Sequence, residues 1–383
     1  EIMLGIPLKK PIKIFGRELH KFPLIYAVMI KTKIGLKTTD KIVNKLKNKS
    51  RAVGYICIVI GVVCAVYMSY LLIDYIITKL MAPSTITMQA VAFVLPFKVK
   101  GAIYVPLVYW LLTILIIAVI HEFGHALIAR AHNITVKSTG PAFLGIIIPL
   151  IPAAFVEPDE EEIKTRPRKQ QLSVYSAGAA FNIITGLIAL MVLVFIFVPL
   201  TNNLVNFDGV NVDEVLSENL KNIGLKEGQI INRVTFGEFS YRIDTRADLA
   251  GVMLYRTPGT EVMIETIDDS GLHQTYSHLL EENPADPTNA ILGVSISQHD
   301  SYNKEALEKY GLPIVASMKW LRGLVLWISL LSIGIGFMNL LPMVPLDGGL
   351  MVRAFVYGTR FEKIITFGVS GVFLIILILL FII

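Results

Sequence analysis

Residues 112–130 read LTILIIAVIHEFGHALIAR, an apolar run that closes on two histidines, a glutamate and a glycine. The run begins at Ile103 and, with its polar end, is long enough to cross a bilayer, which takes around 20 mostly apolar residues. On a helix, His121 and His125 lie about 40° apart with a rise of about 6 Å, so both imidazoles face one side. Two ring nitrogens placed in this way can reach one zinc ion. Glu122 sits beside the first histidine, where its carboxylate reaches a metal's water without being a ligand. A blander reading is that these groups cap the span at the membrane surface. Two histidines and a carboxylate on an otherwise apolar helix favour the functional one, because such groups are costly in lipid.

The whole composition agrees with a membrane protein. Of 383 residues, 54% are hydrophobic and 17% charged, against about 45–50% and about 25% in soluble domains, and the mean hydropathy is +0.62. A soluble enzyme and a disordered chain are both excluded. Four further stretches could span: Ala52–Ile73, Leu172–Leu200, Leu324–Leu341 and Ile364–Ile383. Phe22–Ile30 is too short and is expected at the interface. The chain opens at Glu1 without a cleavable signal sequence, which leaves open an N-terminal span before it. Cys57 and Cys64 fall about 10 Å apart on one helix, too far for a disulfide.

The net charge of +5 is concentrated before the first span, at Lys31, Lys33, Lys37, Lys41, Lys45, Lys47, Lys49 and Arg51. Basic residues at one end of a span orient that end toward the cytoplasm. With no recognisable nucleic-acid module, no nucleic-acid partner is expected. The predicted order is a basic cytoplasmic or interfacial region (1–51), a first span (52–81) and a first core part (103–204). An extracytoplasmic domain (205–312), a second core part (313–360) and a last span (361–383) follow. Arg166, Arg168, Lys169, Arg353, Arg360 and Lys363 then all face the cytoplasm. The inserted domain reads as small and α+β, with strands at Gln229–Val234, Glu261–Ile267, Thr275–Leu280 and Ile291–Ser297, a turn at Asp268–Gly271 and a helix at Asp248–Tyr255. His132 is expected at the interface, and His20, His273, His278 and His299 in water.

Two segments bear on the site. Ala142–Phe155 is apolar but broken by Gly145, Pro149 and Pro152, which disfavours a helix and suggests a re-entrant loop. Asn339–Gly349 reads NLLPMVPLDGG, where two prolines and two glycines around Asp347 describe interrupted helix at membrane depth. A catalytic zinc wants three protein ligands and an open position, and Asp347 lies toward the same face as His125 in this topology.

These motifs together, H-E-x-x-H at 121–125 and N-x-x-P-x-x-P-L-D-G at 339–348, resemble the site-2 protease family of intramembrane zinc metalloproteases. The resemblance covers residues 103–360 well and the first fifty poorly. It implies His121, His125 and Asp347 as ligands of Zn2+, Glu122 as general base and Asn339 as donor to the oxyanion. Gly178-Ala179-Ala180-Phe181-Asn182 keeps the Gly and Asn of the family's G-P-x-x-N motif but lacks its proline, and Asn182 is carried over as a substrate contact. Residues 142–155 are similar to the family's re-entrant β-hairpin, with Gly145 as a second substrate contact. Gly224–Ile231 and Tyr255–Thr260 give the insert a likeness to a PDZ domain, a place for peptide ends. The implied activity is hydrolysis of peptide bonds in or near the membrane segment of a protein substrate, in regulated intramembrane proteolysis after a first cut. Two other classes stay open, a divalent-metal transporter and a non-catalytic PDZ-bearing membrane scaffold.

Overall fold

A computed structural model describes residues 12–14, 17–21, 26–81, 91–99, 102–145, 151–268, 270–283 and 286–382. They fall into two compact units: Glu1–Ile77, Gln89–Phe195 and Leu321–Ile383 in one, Thr78–Met88 and Ile196–Trp320 in the other. The first unit opens with short strands β1 (Ile12–Ile14), β2 (Arg17–Lys21) and β3 (Tyr26–Met29), then helix α1 (Leu36–Leu46) and the long α2 (Asn48–Met81). Strands β4 (Phe93–Leu95) and β5 (Ala102–Tyr104) pair in parallel before α3 (Leu107–Ala131). A hairpin of β6 (Val136–Gly145) and β7 (Ile151–Pro158) follows, then α4 (Glu160–Thr165) and α5 (Arg168–Val192), which continues through a π-helical turn at Leu193–Phe197.

The second unit runs through α6 (Val198–Asn202), β8 (Val205–Val215), α7 (Glu218–Asn222), β9 (Ile230–Phe236), β10 (Phe239–Arg242) and α8 (Arg246–Met253). It continues with β11 (Glu261–Ile267), β12 (His273–Leu279), β13 (Glu281–Asn283), β14 (Asp286–Ile291), β15 (Val294–Tyr302) and α9 (Lys304–Tyr310). The chain then returns to the first unit along α10 (Leu312–Asn339), with α11 (Asp347–Val356) and α12 (Glu362–Ile382). Among the described residues, five helices are long and apolar enough to cross a membrane: α2, α3, α5 with its extension to Asn202, α10 and α12. This is a multi-pass helical membrane protein. Ile56, Val59, Val63 and Val66 of α2 stand exposed, the apolar surface that lipid covers.

Alternating apolar positions build the second unit's sheet, ordered β12-β11-β9-β8-β15 with β10 beside β9. Val210, Ile231, Val234 and Ile264 point inward from it and meet Leu220 of α7 and Leu249 of α8. Asp268 closes the β11–β12 turn by accepting from the backbone N–H groups of Ser270 and Leu272. His278 is buried, not solvated as its polar sequence context suggests, because β12 turns it inward beside Tyr276 on the same face.

In the first unit the hairpin expected from Gly145 and Pro152 is present, with Leu144 opposite Ile151, while residues 146–150 lie outside the described set. The hairpin belongs to a five-stranded antiparallel sheet, β1-β2-β3-β6-β7. Tyr26–Met29, within the stretch expected to lie at the interface, pairs with Ala142–Gly145 as a strand. Backbone pairing with β6 satisfies its amides, as headgroup water would have done. α3 packs on α5 through Ala126, Ala129, Val174, Ala177 and Ala180, all buried. These small side chains let the two backbones approach closely, as the run Ser176–Ala180 suggested.

Candidate metal centre

Three elements of the first unit bring the sequence-predicted ligands together. His121 and His125 project from one face of α3, and Asp347 is the first residue of α11. Pro342 and Pro345 end the helical path after α10. The chain folds into a tight loop in which Met343 N–H donates to Leu341 O, Leu346 N–H to Met343 O and Val344 N–H to Ser370 Oγ of α12. Glycine is required directly after the aspartate, since a Cβ on Gly348 would stand 2.1 Å from the Leu340 carbonyl oxygen.

The donor atoms converge. His121 Nε2 lies 3.1 Å from His125 Nε2, and Asp347 Oδ2 and Oδ1 lie 3.4 Å from His121 Nε2 and His125 Nε2 respectively. Three ligands at about 2.0–2.1 Å around a tetrahedral ion stand about 3.3 Å from one another, and with one atom taken from each residue the three donors here all lie within 4.8 Å of one another, a spacing from which they can close on one ion. His125 Nδ1 is 2.8 Å from the Val174 carbonyl, which can only accept. The His125 proton therefore sits on Nδ1, and Nε2 presents a lone pair. Two ring nitrogens and a carboxylate turned on one point call for a cation between them, and Asp347 Oδ2 is a buried oxygen with no hydrogen-bond partner. The residues fit a zinc ion.

Asn182 of α5, expected as a substrate contact, has its side-chain amide 3.2 Å from His121 Nδ1. Its Oδ1 is otherwise buried without a partner. Turned end for end, the amide offers that oxygen to a proton on Nδ1, which frees Nε2 as a ligand. That contact suits Asn182 to hold the His121 ring in place. Replacing Asn182 with Ala is expected to weaken zinc binding about 10–100-fold, read by competition with a fluorescent chelator. Unchanged affinity would return Asn182 to another role.

Glu122 accepts from the backbone N–H of Val156 at 2.8 Å, which ties the helix carrying the histidines to β7. Asn339 is the last residue of α10, half-buried, eight residues before Asp347. Gly145 ends β6 opposite Tyr26. Two contributors were hidden in the sequence. The Val174 carbonyl leaves no signal, since every residue carries one. Gly178 had one in its motif, but its part is steric: a Cβ there would stand 2.3 Å from His125 Nε2 and 2.7 Å from His121 Nε2. His132, expected at the interface, is buried with Nε2 2.8 Å from Ser173 Oγ, because α5 covers the end of α3.

Comparison with known proteins bears on this arrangement. The profile of peptidase family M50 matches residues 109–383, a stretch that includes both histidines, Glu122, Asn182, Asn339 and Asp347. An uncharacterized protein of Methanocaldococcus jannaschii is 27% identical over 327 residues, 85% of this chain and 77% of that protein.

Proposed function

The chain belongs to peptidase family M50, the site-2 protease family, and from that membership we propose that it is a zinc-dependent intramembrane endopeptidase cutting in or near the membrane segments of other proteins. One observation carries the reading: His121, His125 and Asp347 offer donor atoms that all lie within 4.8 Å of one another, beside a carboxylate that is not one of them. When bound, zinc supplies Lewis acidity, polarising a peptide carbonyl and making water a nucleophile near neutral pH. His125, fixed by Val174, and His121, steadied by Asn182, hold their Nε2 lone pairs on the ion's position with Asp347. Glu122 takes the proton from the attacking water and returns it to the leaving amine. Asn339 donates to the oxyanion that develops on the carbonyl.

A substrate helix hides its carbonyls in its own hydrogen bonds, so it unwinds locally before attack, and its exposed amides need partners. The outer edge of β7 supplies them by strand addition. The second unit, read as PDZ-like, screens substrates by their freshly cut ends, which places the enzyme after a first cleavage in regulated intramembrane proteolysis. In this reading the site faces the cytoplasmic side and the second unit the opposite one. A metal transporter would use the same three ligands but leaves Glu122 and the second unit without a task. A scaffold without catalysis leaves the whole centre idle.

The test is cleavage of a model single-span substrate in detergent by the purified protein. Treatment with a zinc chelator is expected to abolish product, and added zinc to restore it. Undiminished cleavage by metal-stripped protein would overturn the reading.

A further inference from the structure

Glu122 faces in two directions. At 100° per residue, Leu115, Val119, Glu122, Phe123 and Ala126 share a face of α3 that lies roughly 120° from the face of His121 and His125. Glu122 stands at the border of the two. The first of these faces lines a cavity of about 300 Å³, whose far side is lined by Ile34, Gly35 and Thr39 and by residues of β6 and β7. Its walls are apolar even where the sequence is not. Thr39 Oγ1 donates to Gly35 O and Thr139 Oγ1 to Ile34 O, so both hydroxyls are spent and their methyl groups remain. A helix, roughly 10–12 Å across, does not fit in such a space. It holds about ten waters' volume, enough for one large side chain. Leu115 and Val119 are partly exposed among the apolar residues of α3, so the cavity is reached from the apolar surface of the protein.

The neighbouring strand fixes what can enter. Among the described residues β7 ends the sheet, and its outward N–H groups recur every second residue from Val156, which gives its own to Glu122. Pro158 and Pro152 have no N–H, and Ala154 is left as the one outward donor of that series. An extended peptide laid on this edge would accept no N–H of this series but that of Ala154, two residues from the Val156 that holds Glu122. Alternate side chains of that peptide point toward α3.

The geometry points to the cavity as a specificity pocket that takes one large apolar side chain, such as Leu, Phe or Met, from the substrate residue flanking the scissile bond. This assignment rests on the protease reading above. Val119 and Phe123 form the wall that sets the size of the accepted side chain, and an anionic side chain is excluded because the two threonine hydroxyls of the wall are spent and Glu122 brings a carboxylate to it.

The test uses the full-length protein in detergent and a single-span substrate carrying Gly, Ala, Leu, Phe or Asp at each position flanking its cleavage site, with products mapped by mass spectrometry. At one flanking position Leu and Phe are expected to exceed Ala by about tenfold in kcat/KM and Asp by about 100-fold or more. Val119→Trp, and Leu115→Trp as a second variant, are expected to reverse the order toward Ala and Gly while zinc content stays at the wild-type level. In the inactive Glu122→Gln protein, a photocrosslinking benzoylphenylalanine at that substrate position is expected to label residues 115–126. Cleavage indifferent to the flanking residue, or crosslinks elsewhere, overturns the pocket and leaves the protease reading intact. An acyl chain in the cavity would give that same indifference. Absence of wild-type cleavage, with crosslinks no different from an unrelated membrane protein, overturns both.

Discussion

Gly178→Ala is expected to leave the protein folded and empty it of metal. The added methyl group would stand 2.3 Å from His125 Nε2 and 2.7 Å from both Cε1 and Nε2 of His121. These are the atoms that must converge on the ion, so both rings must swing away from it. α5 has little room to retreat. α3 lies against it on the histidine side, and on its other side a Cβ on Gly336 of α10 would stand 3.1 Å from the Ala179 carbonyl and one on Gly186 2.9 Å from the Ser329 carbonyl, so α5 is held between two backbones. Overpacking of this kind destabilises a core by about 1–3 kcal/mol, a modest loss for a chain with five long helices. Metal binding has no such tolerance, because a shift of about half an ångström in each ligand spoils the geometry. Zinc measured by mass spectrometry on purified protein is expected to fall from about one ion per chain to a trace, with cleavage lost alongside. Full zinc occupancy in a Gly178→Ala protein would mean that α5 does not press on the histidines as described.

Glu122→Gln separates chemistry from binding. Glutamine keeps a side-chain oxygen that can accept the Val156 N–H, so the tether between α3 and β7 survives. Zinc content should match wild type, since the three ligands are untouched. What is lost is the proton acceptor, and a positioned general base contributes about 10²–10⁴-fold. Cleavage of a single-span substrate is expected to fall by about 10³-fold. The outcome also discriminates between classes of protein. A transporter built on His121, His125 and Asp347 would keep its zinc flux in proteoliposomes with Gln at 122, and would show no proteolysis in either form. A loss of zinc in this variant would make Glu122 a ligand and remove the base from the mechanism.

The membrane helices were legible because a span declares itself by length and apolarity alone. The ligands were legible for different reasons. His121 and His125 are local, four residues apart on one helix. Asp347 is distant, but the prolines and glycines around it announce irregular backbone where lipid forbids it unless protein covers it. Less legible was anything that depends on what stands opposite. Asn182 carried a motif match, yet its partner is set by the packing of α5 against α3, and that packing turns it toward His121. The strand at Tyr26–Met29 is four residues long and becomes a strand by pairing with Ala142–Gly145, more than a hundred residues on. His278 and His132 read as polar and are buried, because burial follows from the face a residue occupies more than from its type.

The third ligand lies more than 200 residues beyond the two histidines. At a synthesis rate of about 5–20 residues per second, the ribosome needs roughly 10–45 s to travel from one to the other. During that interval the growing chain has a nucleophile-activating carboxylate and two thirds of an ion cage among the newly inserted proteins around the translocation channel. On the proposed mechanism the ion cage stays one ligand short until the aspartate is added. On that mechanism, hydrolytic competence arrives only once Asp347 has been made, so the order of translation itself would keep an unfinished protease harmless.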